Sequence, residues 1–275
     1  MIQTLTTPPP AARRTDAERA ATTKRLLACG AIAAPLFAIV ALAQAATRPG
    51  FDLTRHAVSL LGLGDLGWIQ NSSFLLTVLL TIAGAVGLGR ALRGRPGSRW
   101  APTLLVVFGV GAMAGGIFHA DPGDGFPPGT PAGIPTTMSW HGMLHMTFGG
   151  IGFLALFVAC IVLARAHVAN GQKGWAAYCT LSGVIGILGF GWAMSGGRAG
   201  SLTLFVGVVA AWLCIGMTAA RLIRGELGRS ALTSPAVRPG PFPHADHVQP
   251  ACTIDQNPPS PSGHDRTLRL RPTRL

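Results

Sequence analysis

Charge is what this sequence has least of. Only 12% of its 275 residues are Asp, Glu, Lys or Arg, about half the share usual in a soluble domain. A chain so poor in charge is not built to face water on all sides. Five cysteines occur without a single CxxC pair, which removes the usual spacings of zinc ribbons and dithiol redox sites. Cys29, Cys160, Cys179 and Cys214 fall in apolar runs and read as small packing residues, while Cys252 lies in a polar tail. Alternating segments of about ten residues, the mark of a transmembrane barrel, are missing as well. No basic platform interleaved with aromatics accompanies the net charge of +12, so the charge does not point to nucleic acid.

What the chain does have is long apolar runs: 49% of its residues are hydrophobic and the mean hydropathy is +0.43. About 20 apolar residues at roughly 1.5 Å each cross a hydrocarbon layer of about 30 Å. Six runs qualify, at Leu26 to Ala46, Ser73 to Leu92, Ala101 to Phe118, His141 to Ala164, Trp175 to Met194 and Leu202 to Ile223. Lipid offers the backbone no hydrogen-bond partners, so such runs must be helical. The expected fold is all-α: a six-helix transmembrane bundle over residues 26–224. A disordered basic tail (1–25) and a disordered Pro/Arg-rich tail (225–275) flank it. Arg13-Arg14 and Ala43-Gln44-Ala45 imitate a secretion signal and its cleavage site. The apolar run is longer than a signal core, which favours a retained anchor.

Arginine follows the topology. Arg13, Arg14, Arg19, Lys24 and Arg25 precede the first run, Arg90, Arg93, Arg95 and Arg99 join the second to the third, and Arg165, Lys173, Arg221 and Arg224 fall at the same end. The positive-inside rule then predicts cytoplasmic termini in a plasma-membrane protein whose main partner is the lipid bilayer. The opposite, extracytoplasmic end receives two longer connections, Thr47 to Ser72 and His119 to Trp140. Both carry apolar residues (Phe51, Val58, Leu60, Leu61, Leu63 and Trp68; Phe126, Ile134 and Met138), so they are expected to pack as a cap.

GLGDLG, with Gly62, Gly64 and Gly67, spells a dinucleotide fingerprint, but no strand precedes it and a membrane span follows. More telling is SWHGMLHM, where His141 and His145 stand at i and i+4 on one helix face. His119, Asp121 and Asp124, from FHADPGDGFPPG, are expected at the same end. His119, Asp121, His141 and His145 together would supply the three or four nitrogen and oxygen ligands of a divalent cation such as zinc, with Asp124 as a general base. The same residues also read as hydrated caps at a membrane boundary, with Ser139 as the N-cap of the fourth helix. Arg48, Arg55 and Arg198 are candidates for holding a lipid phosphate, or for pairing with Asp52, Asp65, Asp121 or Asp124.

RPGFDLTRHAVSLLGLGDLGW, FHADPGDGFPPGTP and SWHGMLHM together resemble the bacterial membrane family known as domain of unknown function 998, over about Leu26 to Arg224. The resemblance implies a multi-helix integral membrane protein, of a kind common in actinobacteria, and brings no established activity. The chain is also loosely similar to membrane hydrolases that gather a serine, an aspartate and histidines around zinc. Ser59, Asp121, His141 and His145 would be the counterparts, with Ser59 as a catalytic hydroxyl. Two functions stay open from the sequence: a protein that binds or conveys a lipid or other amphiphile, and a metal-dependent membrane hydrolase.

Overall fold

Apolar runs that must close their own backbone hydrogen bonds become helices, and six of them dominate this chain. A computed structural model describes residues 10–133 and 137–225. Among them are α1 (Pro10–Thr47), a short 3-10 turn (Val58–Gly62), α2 (Gly67–Ala91), α3 (Trp100–Ile117), α4 (Trp140–Ala169), α5 (Lys173–Met194) and α6 (Gly200–Ile223), with no named strand. Each α-helix is long and apolar enough to cross a membrane. The all-α six-helix reading therefore stands. Residues 1–9, 134–136 and 226–275, and with them the expected C-terminal tail and Ile134, lie outside the described residues.

α1 begins at Pro10, inside the segment 1–25 that was expected as a tail. Its leading segment, AARRTDAERAATTKR, is made largely of good helix formers. Thr22 and Thr23 return their hydroxyls to the carbonyls of Glu18 and Arg19, four residues back. The second helix also starts earlier than its apolar run, at Gly67 instead of Ser73. Gln70 is fully buried there and accepts a 2.6 Å hydrogen bond from Gln44 of α1, so a polar side chain is carried inside the bundle.

Consecutive helices pack on one another and α6 returns to α1, closing a ring. Two glycine contacts show how near the backbones come. A Cβ on Gly84 of α2 would stand 2.5 Å from the Gly30 Cα of α1, and one on Gly111 of α3 would stand 2.5 Å from the Phe148 carbonyl of α4. Lipid supplies no hydrophobic force between helices, so these close backbone contacts gain dispersion energy that larger side chains would forfeit. Inside the ring, the Trp212 indole meets Phe37 at 5.2 Å and Phe108 edge-on at 4.9 Å. Many large apolar side chains on the outer faces are exposed, among them Ile39, Leu79, Leu181 and Leu188, as a lipid-facing surface requires.

Both long connections lie over one end of the ring, called the loop end below. Leu61 and Phe126 are fully buried and Phe51 meets Phe126 edge-on at 5.2 Å, so the loops do pack as a cap. Trp68 and Met138 were expected to join them but stay exposed. Trp68 opens α2 and Trp140 opens α4, a placement that suits an indole at a membrane interface.

Candidate functional site

The cap is tied by polar groups whose partners lie far apart in sequence. Arg55 grips Asp124 with Nε at 2.9 Å and Nη2 at 2.7 Å from the two carboxylate oxygens, and Nη2 also reaches the Asp124 carbonyl at 3.0 Å. This fork joins the first long loop to the second. Asp124 has φ 54, a left-handed conformation that aspartate tolerates better than most residues. Beneath it, His56 is buried against the rings of Phe51 and Phe126. Its Nδ1 accepts the Asp52 N–H at 2.9 Å, which places the proton on Nε2 for donation to the Asp124 carbonyl at 3.0 Å. Ser201, near the start of α6, donates to the Arg55 carbonyl at 3.0 Å and fastens the loop to the ring.

The charges respond to these contacts. The hydrogen bond from Arg55, helped by the Gly133 N–H, holds the Asp124 carboxyl below its ordinary pKa, and Asp124 in turn raises that of Arg55. Asp52 is lowered by the hydroxyl and N–H of Thr54. Asp124, proposed from the sequence as a general base, is here held in an ion pair with Arg55. Arg48 is committed too. Its Nη1 and Nη2 donate to the carbonyls of Leu61 and Leu63 at 3.1 and 2.7 Å, and its guanidinium lies 5.4 Å from the Phe126 ring centre. Arg198 is exposed and forms no ion pair among the described residues.

The four expected metal ligands are not gathered into a ligand set. Asp121 accepts the N–H and hydroxyl of Ser139, which caps α4 by accepting the Gly142 N–H at 3.0 Å. A carboxylate beside the first turn also complements the positive end of the helix. His119 is exposed, with Nε2 3.4 Å from the Asn71 amide nitrogen. The His141 ring packs against Trp140, tilted at 34° with centroids 3.7 Å apart, and lies 6.0 Å from the Phe118 ring. His145 reaches across to α3, its Nδ1 2.8 Å from the Gly115 carbonyl and 2.9 Å from that of Phe118. Among the described residues no three His, Cys, Asp or Glu side chains are grouped so as to hold a metal ion. The physical reason is that Asp121 and His145 are spent on helix ends, while His141 packs against the Trp140 ring.

What the sequence analysis missed lies deeper. An apolar cavity of about 90 Å³ extends into the ring from the loop end. Phe37, Phe74, Phe108, Phe153, Phe205 and Trp212, contributed by five different helices, are the large aromatics in its wall. Ser59, Ser201, His145 and the indole of Trp212, an N–H donor, are the polar side chains among its lining residues. Beside it is a cleft into which Arg55, His56, Asp121 and Asp124 bring polar side chains among apolar ones such as Leu60 and Met146, and the two share Ala57, Ser59 and Ser201. The aromatics were visible in the apolar runs, but composition alone does not distinguish a cavity wall from lipid-facing or core packing.

A ring of six membrane-crossing helices, capped by two interlocked loops and hollow beneath the cap, defines a multi-pass membrane protein. The family described as protein of unknown function (DUF998) matches residues 31–223, and the chain belongs to it. No curated protein and no solved structure matches the chain.

Proposed function

We propose that this protein binds or conveys a lipid or other amphiphile, with the apolar chain in the cavity and the polar head in the cleft above it. The observation that carries this reading is the shared border. Ala57, Ser59 and Ser201 line both spaces, so the apolar cavity passes directly into the cleft that holds the Arg55–Asp124 ion pair. The cavity's mixture of apolar wall and few polar groups is what small-molecule sites show. A metal-dependent hydrolase built on His119, Asp121, His141 and His145, with Ser59 as its hydroxyl, is less well supported. Two of those ligands are already hydrogen-bonded to helix ends.

Gly149 provides the test. It lines the cavity, and a Cβ built there meets nothing within 4 Å. Gly149→Leu should fill the space while favouring the helix. Amphiphile co-purifying with the protein, measured by mass spectrometry of solvent extracts, should fall at least about fivefold with no loss of melting temperature. Equal amounts in wild type and variant would refute the cavity as the binding place.

The arginine distribution supports a plasma-membrane orientation with the loop end outside and both termini in the cytoplasm. Asp65→Cys, at an exposed position of the first loop, should react with a membrane-impermeant maleimide on intact cells. Reaction only after permeabilisation would reverse the orientation.

A further inference from the structure

The polar lining of the cavity is not symmetric in what it offers a ligand. Nδ1 of His145 faces two backbone carbonyls, those of Gly115 and Phe118, and carbonyls only accept hydrogen bonds. The ring proton therefore sits on Nδ1. In the neutral imidazole Nε2 is then left with a bare lone pair, and it has no protein partner among the described residues. Nor is Nε2 one of the sealed, unpartnered polar atoms, a condition that applies instead to Nδ1 of His141. His145 lines the cavity. Ser59, whose hydroxyl also lacks a protein partner, and Ser201, whose hydroxyl proton is given to the Arg55 carbonyl, add acceptor lone pairs at the mouth.

We infer that His145 Nε2 is the hydrogen-bond acceptor that selects the ligand, and that the cavity takes long-chain amphiphiles bearing a hydroxyl in preference to carboxylates or ethers of the same length. The inference rests on the amphiphile reading above and adds the chemistry of the head. A hydroxyl donates its proton to Nε2 and remains an acceptor for the Ser59 hydroxyl. An ionised carboxylate brings lone pairs against a lone pair. An ether cannot donate at all. Because Nδ1 is pinned by α3, the imidazole is held for this role without reorientation.

The test uses the full-length protein in nanodiscs, with empty nanodiscs as the partition control, and measures binding of radiolabelled dodecanol, dodecyl methyl ether and dodecanoate at about pH 8, where the acid is ionised. Wild type should bind dodecanol about tenfold more tightly than either of the others, the worth of one hydrogen bond in an apolar site. His145→Asn keeps an N–H donor near the place of Nδ1 and removes the Nε2 lone pair. It should lower dodecanol binding to the level of the ether and leave the ether unchanged. Equal wild-type affinities for alcohol and ether, a preference for dodecanoate, or undiminished dodecanol binding by the variant would each overturn the role of His145 while leaving the amphiphile reading in place. Failure of all three probes to bind above empty nanodiscs would overturn both.

Discussion

Arg55 and Asp124 stand 69 residues apart, and their paired N–H···O bonds tie the two long loops together. Two parallel bonds between planar groups fix an orientation as well as a distance. The sign of the resulting pH dependence follows from the lowered Asp124 pKa. A carboxyl whose folded pKa is depressed contributes fully above its ordinary value, near pH 4, and its contribution is lost as pH falls through the lower folded value. Amide hydrogen exchange of the loops should therefore stay slow through mildly acidic pH and rise only below about pH 4. Asp124→Asn should show raised exchange already at neutral pH and keep only the acid response contributed by Asp52, whose pKa is also lowered. Coincident profiles for the two proteins would show that the fork does not hold the loops. At this scale the residues were legible and their partners were not. Arg55, Asp121, Asp124, His141 and His145 could be placed at one membrane face from the order of the spans. Whether Asp121 meets a metal or the Ser139 N–H depends on side-chain geometry that spacing does not encode.

At the scale of elements, hydropathy and length found all six spans, because lipid leaves the backbone of a long apolar run no alternative to the helix. The ends were harder. α1 runs back to Pro10 through residues whose helix propensity is high and whose hydropathy is low, and the two properties are independent. α2 includes Gln70 because Gln44 satisfies part of its amide across the helix interface, a contact outside the reach of a hydropathy window. The glycines were legible as close-packing residues, but not which helices they join. Gly111 and Gly149 illustrate the difference. A Cβ at the first strikes the backbone of α4, whereas at the second it enters open space, which is why Gly149→Leu is a probe of the cavity and a larger residue at Gly111 would separate α3 from α4.

Across the whole molecule, the ring and its cap enclose a volume that no single helix announces. Its wall is assembled from aromatics on α1, α2, α3, α4 and α6, each of which by itself looks like ordinary packing. Only their convergence under the loops distinguishes them, and convergence is a property of the closed ring. The account's central claim is that an amphiphile occupies this volume. The most direct measurement is photocrosslinking of the protein in nanodiscs with a long-chain alcohol bearing a diazirine near its chain end, followed by peptide mapping. The account predicts adducts at Phe37, Phe108, Phe153 or Trp212, competed away by unlabelled alcohol and reduced in Gly149→Leu. Adducts confined to outward-facing residues such as Leu181 and Leu188, and insensitive to competition, would contradict it.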